Sequence, residues 1–228
     1  MTVSITWHGH ATFSLDINGV KVVVDPFFAG NNPVAKTAVT AVDADFILQT
    51  HGHSDHIVDT LPLAQRTGAK VISNFEIMTW ITGQGHENCH PMNTGGGYNF
   101  AFGRVKMTPA LHSSGLPDGA YGGDPGGYLL TIDGLNIYLA GDTALFSDMA
   151  LIGAAGLDLA VLPIGDNFTM GPEDALAALA YLKPKVVIPC HYNTWPLIAV
   201  DAEAWADQVR QQTDSEPVVL DIDGTYEL

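Results

Sequence analysis

Basic residues are scarce in this sequence: nine Lys and Arg stand against 25 Asp and Glu, a formal charge of −16 over 228 residues. Such a field repels polyanions, which argues against nucleic acid or an anionic membrane as the target and leaves a small-molecule substrate as the expected partner. Cysteine is nearly missing. Cys89 and Cys190 lie far apart in unrelated contexts, so no disulfide framework is expected and a reducing, cytoplasmic setting fits. Long apolar runs are also lacking: nothing approaches the roughly eighteen residues a membrane span needs, and polar and histidine residues interrupt the first ten positions, where a secretory leader would be apolar. Repeats and low-complexity tracts are absent as well. These absences leave one soluble domain over residues 1–228, with a homo-oligomer left open.

What is present is strand-rich. Segments 3–7, 12–17 and 20–25 are apolar or alternating and β-branched, and Asn18-Gly19 between the last two signals a two-residue hairpin, predicting an antiparallel meander. A short strand at 46–49, a helix at 57–66 stopped by Gly68, a strand at 70–73 and a helix capped by Asn74 follow. A second strand-dense half begins near Tyr98, with strands at 98–102, 105–111, 128–132 and 135–140 and a hairpin at Asp133-Gly134. Strands at 159–163 and 186–189 flank a helix at 172–182, whose Pro172, Glu173 and Asp174 suit a first turn. A helix at 202–211 and a strand at 217–222 complete the pattern. Two strand-rich halves, each flanked by helices, predict an α/β (α+β) fold of four layers, an αββα sandwich.

The densest chemistry lies at Thr50-His51-Gly52-His53-Ser54-Asp55-His56, where a buried strand gives way to a helix. Four metal-capable side chains in six residues are costly to bury unless they are paired or bind a metal, and a strand-to-helix turn can aim them at a common point. Further candidates each stand at the end of an expected strand: His112 after 105–111, Asp142 after 135–140 and His191 after 186–190. One alone would be as readily a capping or loop residue; three in series after the dense motif point to ligands.

With these residues in order, the sequence resembles the metallo-β-lactamase-fold superfamily over nearly its whole length. The opening Trp7-His8-Gly9-His10-Ala11-Thr12-Phe13, the Gly95-Gly96 loop and Gly171-Pro172-Glu173-Asp174-Ala175 look like a compact, largely uncharacterised group of metal-dependent hydrolases within it, more distantly similar to L-ascorbate 6-phosphate lactonase. The resemblance implies that His51, His53 and His112 bind one divalent metal, that Asp55, His56 and His191 bind a second, and that Asp142 bridges them. It also implies that Asp25 orients the ligand loop by hydrogen bonds, although a turn residue before Pro26 is an equal reading from the sequence. Position 142 is Asp rather than the Cys of many true β-lactamases, and the length leaves no room for the extra domain of the nuclease branch or the redox module of the flavo-diiron branch.

The activity so implied is a hydrolase using a hydroxide between two divalent ions, zinc first with manganese or iron as alternatives, to cleave an ester, lactone or phosphodiester-type bond. Asp55 is a candidate to return a proton to the leaving group. His8 and His10, read as one strand, are expected to face the same way, with His10 contacting the substrate or supporting the ligands. His86 and His90 are expected at the surface, and Cys190 is read as a small buried hydrophobe. Residues 113–127 are either a candidate substrate-facing wall or a merely flexible connector, and Arg104 and Lys106 are either anion contacts or ordinary solubilising residues. Rival readings are a metal-binding or sensing protein without turnover and a small-molecule phosphodiesterase.

Overall fold

The computed structural model describes residues 2–228. They divide into two compact units, each built on one seven-stranded sheet. Neither unit is contiguous in sequence: the first takes residues 2–96, Ser113–Pro125 and Leu220–Leu228, the second Gly97–His112 and Gly126–Val219.

In the first unit β1 (Val3–Trp7), β2 (Phe13–Ile17) and β3 (Val20–Val24) form the antiparallel meander. β1 and β2 alternate buried and half-buried residues, as strands with one wet face should. Asn18 and Gly19 turn the hairpin with φ of 53° and 90°, the left-handed pair that their side chains tolerate. β4 (Phe46–Leu48) and β5 (Lys70–Asn74) join β3 in parallel, followed by a strand the sequence reading missed, β6 (Cys89–Met92). Three helices belong here: α1 (Ser54–Ile57), α2 (Thr60–Thr67) and α3 (Phe75–Gly83). The single helix expected at 57–66 is broken. Pro62 lacks an N–H and fits only a first turn, so the helix restarts at Thr60, with Gly68 closing it at φ 74°. Asn74 caps α3 as expected, accepting from the Ile77 amide at 2.8 Å.

The second unit repeats the plan: three antiparallel and three parallel pairings, as in the first. β7 (Gly97–Phe100), β8 (Gly103–Pro109), β9 (Gly126–Ile132) and β10 (Leu135–Leu139) pair antiparallel in series. β11 (Leu159–Pro163), β12 (Val186–Cys190) and β13 (Glu216–Pro217) then add in parallel. Every residue of β11 and β12 is buried, matching their continuous apolar sequences. The helices are α4 (Met149–Gly153), α5 (Pro172–Leu182) and α6 (Ala202–Gln212), of which α4 was not foreseen.

The strand expected at 217–222 is replaced by the two-residue β13 and a turn. Asp223 takes φ 66° and the Gly224 amide bonds the Asp221 carbonyl at 2.8 Å, after which β14 (Thr225–Glu227) pairs with β1 in the other sheet. The Asp223-Gly224 pair was a turn signal of the kind read correctly at residues 133–134. Among the described residues no helix is long and apolar enough to cross a membrane, and both cysteines are free.

Candidate metal centre

Strand register explains why the candidate residues gather at one end of each sheet. In the first unit β3 and β4 are parallel neighbours, with Val24 opposite Leu48, so Asp25 after β3 lies beside the His51–His56 turn after β4. The Asp25 amide bonds the Leu48 carbonyl at 3.1 Å, and its side chain reaches one step further along the neighbouring chain. Oδ1 accepts from the Thr50 amide at 2.8 Å and Gln49 Nε2 at 3.1 Å, while Oδ2 accepts from the Thr50 hydroxyl at 2.6 Å and stands 2.9 Å from His56 Nδ1. Burial pushes the Asp25 carboxyl above its usual range, and the bonds from His56 and Thr50 pull the other way. Four donors aimed at two oxygens suit the ionised form. The turn-residue reading of Asp25 holds too: its φ is 45°, a conformation uncommon outside glycine.

This network selects the tautomers of two histidines. The His56 Nδ1–H donates to Asp25, which leaves the lone pair on Nε2. The single Thr50 hydroxyl proton is committed to Asp25, so Thr50 Oγ1 can only accept from His51 Nδ1 at 3.0 Å; the lone pair of His51 therefore also sits on Nε2. That Nε2 lies 3.0 Å from Nδ1 of His53. Ligand atoms of Asp25, His51 and His56 fall within 4.8 Å of one another, as do those of His10, Asp55 and His56. Convergent imidazole lone pairs beside a carboxylate, fixed by hydrogen bonds on their far sides, are a donor set that fits a divalent cation such as zinc.

His10 and His8 part company, against the expectation that they share a strand face. β1 ends at Trp7, and Gly9 (φ 98°) and His10 (φ 55°) form a turn, so strand alternation does not reach them. His10 Nε2 stands 3.1 Å from Asp55 Oδ2, whereas His8 is held elsewhere, 2.7 Å from Asp223 Oδ1 and 2.8 Å from Ser14 Oγ. His8 thus ties β1 to the C-terminal turn. His86 corrects another expectation: it is 7% exposed, with Nε2 2.9 Å from the Ala69 carbonyl, and is a packing residue rather than a surface one.

In the second unit β8 and β10 both run antiparallel to β9, and β11 and β12 continue parallel to β10, so His112, Asp142 and His191 leave the same end of the sheet. Asp142 Oδ2 lies 3.0 Å from His191 Nε2 and 3.6 Å from His112 Nε2. Asp142 and His191 are almost wholly buried. His191 adopts φ 55°, the kind of local strain that collects at functional sites. Gly165 makes room for it: a Cβ there would lie 2.0 Å from the His191 carbonyl oxygen, closer than any real contact. Gly165→Ala is therefore expected to displace the His191 backbone and destabilise the protein by about 2 kcal/mol, as overpacking does. Thermal unfolding measures this, and a melting temperature equal to wild type would show that the contact relaxes freely.

Several of the residues that organise the first unit's site went unnoticed in the sequence. Gln49 and Ser114 looked like ordinary strand and loop residues, yet Gln49 also donates to the His51 carbonyl at 2.7 Å and Ser114 Oγ accepts from the Gly52 amide at 3.0 Å. Only their nearness to the ligand motif could have flagged them. Cys190 is buried, as expected. Arg104 lies exposed on β8, 3.3 Å from Asn99 Oδ1.

The beta-lactamase superfamily domain matches residues 4–191, a span that holds every candidate ligand. A UPF0173 metal-dependent hydrolase from Thermus thermophilus is 51% identical over 210 residues, covering 92% of each chain, and one from Shouchella clausii is 46% identical over 99% of this chain and 100% of its own. Among solved structures, Igni18, a metallo hydrolase from the archaeon Ignicoccus hospitalis, superposes with a TM-score of 0.91 at 36% identity over 100% of this chain and 99% of that one. The mixed α/β fold with two sheets is that of these neighbours, and the chain belongs to the beta-lactamase superfamily as one of its UPF0173 metal-dependent hydrolases.

Proposed function

We propose that this metal-dependent hydrolase works with two divalent metal ions on a small molecule carrying an ester, lactone or phosphodiester-type bond. His51, His53 and His112 would hold one ion, Asp55, His56 and His191 the other, and Asp142 would bridge them, with zinc the first choice for these ligands and manganese or iron alternatives. When bound, such a pair would supply Lewis acidity and lower the pKa of a coordinated water toward neutrality.

The observation that carries the reading is the Asp25–Thr50–His51 chain and its Asp25–His56 branch, which leave two imidazole lone pairs on the same ring position within one cluster. A solvated surface loop has no use for that arrangement, because buried polar bonds of this kind are retained where they orient something. Asp55 would be the group to return a proton to the leaving oxygen, with His10, its Nε2 3.1 Å from Asp55 Oδ2, supporting that carboxylate. The acidic composition would keep large polyanions away and favours a small substrate.

The test is elemental analysis of protein purified without added metal, combined with turnover of aryl lactones, thioesters and bis-aryl phosphodiesters. About two equivalents of metal are expected, with activity lost on chelation and recovered on adding zinc or manganese. Turnover unaffected by complete metal removal would sink the proposal.

A further inference from the structure

Residues 113–125 do not hang free as a flexible wall. They are fastened to the rest of the first unit at several points: Asn74 Nδ2 donates to the carbonyls of Gly122 and Asp124 at 2.7 and 3.1 Å, and Trp80 Nε1 donates to Asp118 at 2.7 Å. At the start of the segment two consecutive serines grip two consecutive residues of the ligand motif. Ser114 Oγ, buried, accepts from the Gly52 amide at 3.0 Å and donates to the Gly122 carbonyl at 2.9 Å, so both its hydrogen-bonding roles are used within the backbone. Ser113 Oγ stands 3.2 Å from His53 Nε2. Leu116 closes the space over Gly52, where an added Cβ would meet its Cδ2 at 3.1 Å.

His53 differs from its neighbours in one respect. His51 and His56 have their tautomers set by Thr50 and Asp25, but His53 faces His51 on one side and the Ser113 hydroxyl on the other. Because His51 Nε2 carries a lone pair, His53 Nδ1 must present a hydrogen to it when no cation is near, and His53 Nε2 then accepts from the serine. To ligate through Nδ1, as its position 3.0 Å from His51 Nε2 requires, His53 must instead carry its hydrogen on Nε2 and donate it. A hydroxyl can serve both arrangements, since it is donor and acceptor at once; a carboxylate, a carbonyl or an ammonium cannot.

We infer that Ser113 is a positioning residue for His53, holding the ring in one orientation through both hydrogen-bond directions and so tying metal capture to the docking of residues 113–125. The inference rests on the metal-centre reading above. Removing such a supporting partner commonly costs a factor of about 10 to 100 in metal affinity.

The experiment compares wild type, Ser113→Ala and Ser113→Thr, each stripped of metal and titrated with zinc against a chromophoric chelator, with the His53 ring nitrogens followed by long-range proton–nitrogen NMR. Ser113→Ala is expected to weaken zinc binding by about 10-fold or more and to leave the His53 ring nitrogens with averaged shifts in the loaded protein. Ser113→Thr, which keeps the hydroxyl, should restore both to near wild-type values. Circular dichroism of the stripped proteins checks that all three fold alike. Wild type that binds zinc with Ser113→Ala unchanged in affinity and ring shifts would overturn the role of Ser113 alone. Wild type that binds no zinc would overturn the metal-centre reading and this inference with it. Loss in Ser113→Ala without recovery in Ser113→Thr would also overturn it, since the hydroxyl would then not be the cause.

Discussion

Replacing Asp142 by Ala is expected to lower kcat/KM by about 1,000-fold or more, roughly 4 kcal/mol of transition-state stabilisation at 1.36 kcal/mol per tenfold, while the stripped protein remains folded. The asymmetry follows from what surrounds the carboxylate. Asp142 is 3% exposed and lies against two imidazoles, 3.0 Å from His191 and 3.6 Å from His112. As a proposed ligand to both ions the carboxylate matters most when they are bound, so its removal is expected to harm the loaded state more than the stripped one. Steady-state turnover, metal content and urea unfolding of the metal-free protein, measured side by side, test this. His53→Ala should behave in the same way, because His53 contributes a ring nitrogen to the cluster and little to the core. If the metal content of Asp142→Ala equalled that of wild type with activity intact, Asp142 would not be a ligand.

The second large effect is expected at Asp25, and there stability and metal binding should fall together. Its carboxylate takes bonds from Gln49, from the amide and hydroxyl of Thr50 and from His56, all buried. Asp25→Ala strands these donors and is expected to cost about 3 kcal/mol or more of folding stability. Asp25→Asn is the more informative variant. Asparagine tolerates the φ of 45° that this position demands, so the backbone is kept while one acceptor oxygen becomes an NH2 group. The Thr50 hydroxyl and His56 then compete for too few lone pairs, the tautomers of His51 and His56 are no longer fixed, and zinc affinity should fall by about 10- to 100-fold. Urea midpoints and zinc titrations of the two variants check both halves. An Asp25→Asn protein with wild-type zinc affinity would show that the hydrogen-bond chain does not govern the ligands.

The predictions on single residues divide by mechanism. Gly165→Ala acts through backbone space, Ser113→Ala through the orientation of one ring, Asp25 through a shared network, and Asp142 and His53 through direct ligation. The Gly165 and Asp25 variants should lose folding stability, whereas the Ser113, Asp142 and His53 variants should keep that of the stripped protein.

Much of this was legible before any coordinates. Residues 51–56 announce a metal site because no core needs so many imidazoles and carboxylates in one turn, and strands such as β1, β11 and α5's Pro-Glu-Asp start follow from local patterning that tertiary context does not override. Other elements escaped for physical reasons. β6 runs Cys-His-Pro-Met and has no strand period to read; it exists because β5 offers a parallel edge. The break between α1 and α2 was written in Pro62 but outweighed by the apolar pattern around it.

What the sequence determined by itself is the inventory: which side chains can ligate, which end of each strand carries them, and a net charge of −16. What the tertiary structure decided is orientation. That Asp25 reaches Thr50 and His56 depends on β3 and β4 being parallel neighbours, and that Ser113 meets His53 depends on residues 113–125 returning to the first unit after a strand of the second. Ring tautomers and hydrogen-bond directions are set by partners 25 to 60 residues away in the chain, and no local pattern encodes a partner at that distance.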